Sequence, residues 1–281
     1  MSPQAAAAPP VAGDLRIPLT PEARAFLFLA VGGILILGAL LYPFPTHTAA
    51  LWMWPMSDPR SAMLVSPVYF AASVYYIDAL RTNDWLRAQG GLVGVFLVAA
   101  FLLVPVALHW AEVRPYHPTT LMWLVDYYLA LLLVPIVWRR QSQAPGPPPP
   151  AGPLVPPRLR TFLWLRGGLY FLLALAVFVY ADAVTALWPW DVGKLNLRMF
   201  SGQLATFIVP VFFLMRGPVL WKTLRPGIVY ILVLGAMQLV ALVIAPSPYN
   251  GSAPLAIVLP LMFGEWVATS AVILARYGKD R

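Results

Sequence analysis

The chain has 281 residues, of which 60% are hydrophobic and only 11% are charged. A soluble globular domain carries about a quarter charged residues, so the composition excludes that class. There is no cysteine, which excludes disulfides, thiolate metal sites and cysteine nucleophiles. The net charge of +8 suggests nucleic acid as a partner, but the placement of the basic residues argues against it.

Eight apolar stretches predict transmembrane helices, because about 20 apolar residues are needed to cross the hydrocarbon of a bilayer. We therefore predict an all-α integral membrane protein. In chain order the predicted helices cover approximately residues 25–43, 61–80, 90–110, 119–138, 161–181, 198–215, 227–246 and 255–276.

Proline-rich segments divide the chain. Residues 1–20 are predicted to form a disordered cytoplasmic tail, with Thr20 capping the first helix and Pro21 in its first turn. The segment 141–158 contains a run of four prolines and predicts a non-helical cytoplasmic linker. The predicted domains are the tail, a first membrane repeat over 21–140, this linker, and a second membrane repeat over 159–281.

The membrane part of the sequence occurs twice. A shift of 136 positions places Trp52, Trp54 and Trp85 on Trp188, Trp190 and Trp221. With three more residues inserted, Asp126-Tyr127 aligns with Glu265-Trp266. Because each unit has an even number of helices, both units enter the membrane from the same side. The sequence therefore predicts two parallel tandem four-helix repeats related by a pseudo-twofold axis along the membrane normal.

The basic residues are distributed unevenly between the two sides of the predicted membrane. If the amino terminus is cytoplasmic, fourteen Lys and Arg residues lie on the inner side and four on the outer side. This bias predicts that both termini are cytoplasmic. The basic side chains are then expected to contact anionic lipid headgroups, so membrane lipids are predicted partners and nucleic acid is not.

Two acidic residues are the main candidates for a transport or proton site. Asp126 and Glu265 fall near the middle of predicted helices, where an acid needs a partner, a water-filled cavity or a proton. Their matched positions suggest that they face one another across the pseudo-twofold axis. They either carry protons or cations, or join helices by hydrogen bonds.

The tryptophan pairs follow the first helix of each repeat. Trp52, Trp54, Trp188 and Trp190 fall where indole rings favour the membrane boundary, which predicts aromatic anchors. The alternative is a stacking platform for a ring-bearing lipid or quinone.

Four polar residues are predicted to contribute to helix packing. Gln203 and Gln238 are candidates for interhelical hydrogen bonds. Arg166 and Arg198 are expected to extend towards the nearest membrane boundary, or, for Arg166, to reach an acid.

His47, His109 and His117 are weak candidates for a metal or haem site. They lack a tight ligand spacing and have no counterparts in the second repeat, so exposed loop histidines are favoured. We predict no cofactor or metal. No catalytic residue is proposed, because the sequence lacks phosphate-loop, zinc-protease and nucleophile-elbow motifs.

The second repeat resembles a group of bacterial multi-pass membrane proteins that have no assigned activity. The resemblance rests on Trp188-Pro189-Trp190, on Arg198, and on the motif that begins at Trp221 and ends with Arg225-Pro226. It implies a membrane fold in the bacterial cytoplasmic membrane and transfers no function. The first repeat departs from this pattern, with Met53 in place of the proline.

Two classes of function remain open from the sequence. The first is transport of a small solute, passive or coupled to ions or protons. The second is a non-catalytic membrane subunit, or a lipid- or quinone-binding scaffold, in a larger complex with other membrane subunits. A membrane enzyme is the least favoured reading, because no nucleophile or metal constellation is found.

Overall fold

The computed structural model describes residues 16–144 and 152–278. This part of the chain is helical, and eight of its helices are long and apolar enough to cross a membrane, as predicted. They are α1 (Pro21–Leu41), α2 (Pro59–Thr82), α3 (Trp85–Leu108), α4 (Pro118–Gln143), α5 (Pro157–Val179), α6 (Lys194–Leu214), α7 (Trp221–Ile244) and α8 (Leu255–Tyr277). Short helices lie between α1 and α2 (Thr48–Leu51) and between α5 and α6 (Ala181–Leu187).

Side-chain caps fix where several of the helices begin. Thr20 accepts the N–H of Ala23 at 3.3 Å and Pro21 opens the first turn, which confirms the predicted start of α1. Asp58 and Asp84 cap α2 and α3 by accepting the N–H of the residue two positions later. These bonds satisfy donors that would otherwise be orphaned at the helix ends.

The predicted tail and linker are ordered where the structure describes them. In the segment 16–20, Leu19 is buried and the Ile17 carbonyl accepts the N–H of Trp85 at 2.7 Å, so the prediction of disorder is wrong there. Residues 1–15 lie outside the described part of the chain.

The prediction of a non-helical linker is also wrong at both of its ends. α4 continues to Gln143, and the Gln141 side chain bonds the N–H of Thr20 at 2.8 Å and the carbonyl of Pro18 at 3.0 Å. On the other side, α5 begins at Pro157. Residues 145–151 are not described.

The middle of the bundle is formed by α2, α3, α6 and α7. α3 packs against α4, α6 and α7, and α7 packs against α2, α3 and α8. α2 and α6 are the most buried of the eight. α1 and α4 flank the middle helices on one side, and α5 and α8 flank them on the other. The six less buried helices present apolar side chains outward, as lipid contact requires.

The bundle has two distinct ends. The starts of the odd-numbered helices and the ends of the even-numbered ones meet at the end we call the basic end, where Lys222 bonds Asp84 at 2.9 Å. The links with the tryptophan pairs meet at the opposite end, which we call the tryptophan end. There the N–H of Asn250 bonds the carbonyl of Pro189 at 2.8 Å.

The two halves share several geometric features. The rings of Trp52 and Trp54 are 5.6 Å apart at 76°, and those of Trp188 and Trp190 are 5.4 Å apart at 76°. The contact of α2 with α7 has a counterpart in the contact of α6 with α3. The two halves share these local contacts, and the duplication of a four-helix unit stays a prediction from the sequence.

The second helix of each half, α2 in the first and α6 in the second, is interrupted. The hydrogen-bond ladder of α2 breaks at Ser66, and α6 tightens into a 3-10 turn over Thr206–Ile208. Pro67 and Pro210 lie at these places, and proline lacks the N–H that would continue the ladder.

Candidate functional site

A cavity of about 510 Å³ lies between α1, α2, α3, α4, α6 and α7. Its wall consists mainly of aliphatic side chains, glycines and tyrosine rings. Five tyrosines line it, which are Tyr69, Tyr75, Tyr76, Tyr127 and Tyr230. A cavity of roughly 300–1,000 Å³ with apolar walls and a few polar groups is typical of small-molecule sites.

The breaks in α2 and α6 lie beside the cavity. Tyr69 follows the break in α2 and lines the cavity, as do Thr206 and Pro210 at the break in α6. The structure thus places its irregular backbone beside the cavity rather than against lipid, where unpaired backbone groups are costly.

Two buried glutamines stabilise the break in α2. The amide of Gln203 donates to the carbonyls of Leu64 and Val65 at 2.8 and 3.0 Å. The amide of Gln238 donates to the carbonyl of Leu64 at 2.7 Å and to the Gln203 side chain at 3.0 Å. These contacts join α2, α6 and α7, and such interhelical bonds are the role predicted for both residues.

Asp126 lies on the cavity wall without a partner. α4 presents it to α1 at Gly33, where a Cβ atom would lie 2.5 Å from Asp126 Oδ2. That oxygen is buried, and no described residue hydrogen-bonds to it. The rings of Tyr69, Tyr76 and Tyr127 are near enough to interact with it electrostatically.

The hydroxyl of Tyr230 is a second polar group on the cavity wall; it makes no well-formed hydrogen bond in the described part of the chain, and the Thr206 side chain lies close to it. Tyr230 belongs to α7, whereas Asp126 belongs to α4. Buried polar groups are normally hydrogen-bonded, so these two atoms are the groups on the cavity wall that are available to bind an occupant.

The cavity reaches the basic end of the bundle. Glu22 and Arg140 line it there and form an ion pair at 2.7 Å across α1 and α4. Between this pair and Asp126, the cavity wall includes Leu29, Leu129 and Ile136, whose side chains are also exposed on the lipid-facing surface. The cavity is therefore bordered by the membrane along the seam between α1 and α4.

Glu265, the second predicted acid, has a different environment. Its carboxylate lies 2.9 Å from Arg166 Nε and accepts bonds from Arg166 Nη2 at 3.0 Å, Tyr170 at 2.8 Å and Thr269 at 2.9 Å. It does not line the cavity. The expectation that the acids face one another is wrong, because Glu265 points at α5 whereas Asp126 points at α1.

Arg166 reaches this acid rather than the membrane boundary. Its guanidinium is buried, since α5 directs it between α6 and α8. The shift of 136 places Ala30 at the position of Arg166 and Ile34 at that of Tyr170. Both of these smaller or apolar residues line the cavity near Asp126. The first half thus has open space where the second half has a cation and a phenol.

The four paired indoles are buried inside the protein. Trp52 and Trp54 are almost fully enclosed, and Trp188 and Trp190 are only 6% and 7% exposed. The proposed stacking platform for a lipid or quinone loses its basis, because no free ring face remains. The rings instead hold the links of the tryptophan end together.

Charged residues at the tryptophan end are also engaged with the protein. Arg198 donates to the carbonyl of Phe178 at 3.2 Å and contacts the ring of His109. Nearby, a hydrogen bond from Lys194 lowers the pKa of the Asp182 carboxyl. Arg198 therefore joins α6 to α5 and to the residue that follows α3, which agrees with a packing role.

The three histidines do not form a metal site. His109 pairs with Glu112 at 2.6 Å, His117 contacts Thr119 at 2.7 Å, and His47 contacts its neighbour Thr46. Within the described residues no cluster of three potential ligands exists.

The sequence reasoning missed the tyrosines and a buried cation. Tyr69 and Tyr76 are seven residues apart on α2, a spacing that signals a shared helix face. Arg60, one of the four basic residues placed on the outer side, is buried and donates to the carbonyls of Pro248 and Ser247. Its cap, Asp58, and its position just inside α2 were the available signal.

Comparison with known proteins gives no relative to which this site can be matched. No family model, curated protein or solved structure matches the chain. The eight apolar helices indicate a multi-pass membrane protein.

Proposed function

We propose that the protein is a membrane carrier that takes up a small lipophilic molecule in the cavity. One observation carries the proposal: two unpaired polar atoms, on Asp126 and Tyr230, line an otherwise apolar and aromatic cavity. Walls of this kind favour an apolar ligand body, and the two polar groups would orient it. This is a narrower form of small-solute transport, since a strongly polar solute would leave the wall unsatisfied.

The interrupted helices support carriage rather than simple retention. Transporters commonly form their sites where helices are discontinuous near the middle of the membrane. Here α2 and α6 are interrupted beside the cavity, with Tyr69 and Thr206 on its wall. The two helices occupy matched positions in the two proposed parallel repeats.

The proposed setting is the bacterial cytoplasmic membrane with both termini in the cytoplasm. The basic end then faces the cytoplasm, in agreement with the positive-inside rule. Glu22 and Arg140 would border the cavity on that side.

The second candidate is a lipid- or quinone-binding scaffold or a non-catalytic subunit of a membrane complex. The exposed residues Leu29, Leu129 and Ile136 along the seam favour a lipid-soluble occupant that enters sideways. A scaffold would hold such a molecule without releasing it on the other side, and a subunit would co-purify with a fixed protein partner.

A cavity-filling variant tests the proposal. Gly227 lines the cavity, and a Cβ atom there would meet nothing within 4 Å. We expect solvent extracts of the wild-type protein, purified in a gentle detergent, to contain a small lipophilic compound near one per chain. Gly227→Leu should remove it. Gly264→Leu on α8 is the matched control, because it also has free space and lies away from the cavity.

Equal extraction from the wild type and from Gly227→Leu would overturn the cavity as the binding site. Mass spectrometry of the same preparations identifies any stoichiometric protein partner, which would favour the subunit role. Exchange of the labelled compound across proteoliposomes separates a carrier from a scaffold.

A further inference from the structure

In the second half of the protein, the acid within the membrane span has a counter-charge. Glu265 is neutralised by the guanidinium of Arg166, which lies 4.9 Å from the centre of the Phe207 ring and 5.6 Å from that of Tyr170. A cation held between a carboxylate and aromatic faces is doubly stabilised, by charge and by the ring quadrupoles.

The first half has an acid at the matching position, Asp126, but no basic residue beside it in the part that the structure describes. Asp126 aligns with Glu265, and the positions of Arg166 and Tyr170 are taken by Ala30 and Ile34 on the cavity wall. Tyrosines remain near the acid, because Tyr69, Tyr76 and Tyr127 are close enough to interact with it electrostatically. What this site lacks, relative to the other, is the positive group.

The charged residues of the cavity wall also favour a positively charged ligand. Its charged lining residues, among those described, are Glu22, Arg140 and Asp126. Glu22 and Arg140 neutralise each other at 2.7 Å, so Asp126 is the only one without a counter-charge. An unpaired carboxylate in an apolar surrounding is costly, and this cost is removed either by a proton or by a cation. Of the two, a cation with an apolar body would also fill the apolar cavity.

We propose that the cavity binds a lipophilic organic cation, such as a hydrophobic ammonium or phosphonium ion, with its charge against Asp126 and the tyrosine rings. The inference rests on the proposed function, since it names the class of the carried molecule. The second half serves as an internal template, in which Arg166 occupies the place that the ligand takes in the first half.

Two ions of nearly equal size and opposite charge test this inference. Tetraphenylphosphonium and tetraphenylborate are titrated calorimetrically into the purified full-length protein in detergent. We expect saturable binding of the phosphonium ion at one site and no binding of the borate. Asp126→Asn keeps the side-chain shape and removes the charge, and it should weaken phosphonium binding by about tenfold or more. Glu265→Gln, the matched acid outside the cavity, should leave it unchanged.

A second variant supplies the missing cation from the chain itself. Ala30→Arg copies the arrangement of Arg166, so we expect it to abolish phosphonium binding and to raise the melting temperature. Ala30→Met fills similar space without charge and should not stabilise the protein to the same extent. Combining Ala30→Arg with Asp126→Asn should cancel the gain, because the new guanidinium then has no counter-charge.

The possible results separate the two proposals. If both ions bind and Gly227→Leu blocks both, the cavity takes lipophiles but its preference for cations is refuted. Unchanged phosphonium binding in Asp126→Asn refutes the preference as well. If neither ion binds and extracts of the protein contain no lipophile, both proposals fall.

Discussion

The indole of Trp54 donates to the side-chain carbonyl of Asn196 at 3.0 Å, which joins the first half of the chain to the start of α6. In the reverse direction, the indole of Trp190 donates to the hydroxyl of Ser61 at 3.1 Å, at the start of α2. The tryptophan end is thus held by a reciprocal exchange between the halves, with each link bound to a central helix of the other.

We expect Trp54→Phe to lower the free energy of unfolding by about 1–3 kcal/mol, because it leaves the Asn196 carbonyl buried without its donor. Trp164→Phe is the control, since that ring is exposed on α5. Thermal unfolding in detergent gives the comparison. Equal losses in the two variants would show that the cross-link adds nothing to stability.

The two adjacent glycines of α1 should differ sharply. Gly33→Ala places a methyl group against Asp126 Oδ2 and forces the carboxyl to turn, so we expect tetraphenylphosphonium binding to weaken several-fold. Gly32→Ala meets nothing within 4 Å and should leave binding intact while adding up to about 1 kcal/mol of helix stability. Calorimetric titration of both variants checks this, and identical affinities would contradict the placement of the ligand at Asp126.

Removing Arg166 alone should cost more than removing both members of its ion pair. Arg166→Met leaves the partly exposed Glu265 carboxylate without a counter-charge, at an expected cost of about 1–3 kcal/mol. In the double variant with Glu265→Gln no charge is left behind, so part of that loss should be recovered. Melting temperatures of the two single variants and the double variant decide the point. A double variant less stable than Arg166→Met would count against it.

The glutamines at the break of α2 should be among the most sensitive polar residues of the bundle. Gln203→Leu leaves the Val65 carbonyl without a donor, and we expect a loss of about 1–3 kcal/mol in the free energy of unfolding. Gln89→Leu, on a partly exposed face of α3, is the control and should change stability little. Thermal unfolding is again the measurement, and similar curves for both variants would rule out a structural role for Gln203.

The sequence predicted the number and order of the helices because an apolar run of about 20 residues is a local signal. The cap at Thr20 was predictable for the same reason, since capping needs only its immediate neighbours. Asp126 and Glu265 could be singled out because an acid at such depth is costly wherever it faces.

The contacts of these acids were not predictable from the sequence. Arg166 of α5 reaches Glu265 of α8 through tertiary structure, a relation between residues 99 positions apart. The tyrosines of α2 are indistinguishable from ordinary core residues until the cavity is seen. The burial of Trp52 could not be foreseen either, because an indole at a membrane boundary has the same sequence pattern whether it faces lipid or protein.

The reciprocal indole bonds also determine where the bundle is able to widen. At the tryptophan end, Trp54 and Trp190 fasten each half to the other. At the opposite end, α1 and α4 are held together by the exposed ion pair of Glu22 with Arg140 and by the bonds of Gln141 to Thr20 and Pro18. An ion pair in such an exposed position adds little to stability, because solvent screens the charges. If the protein carries a ligand as proposed, we expect the tryptophan end to stay closed and α1 to part from α4 at the basic end when a molecule as large as the cavity enters.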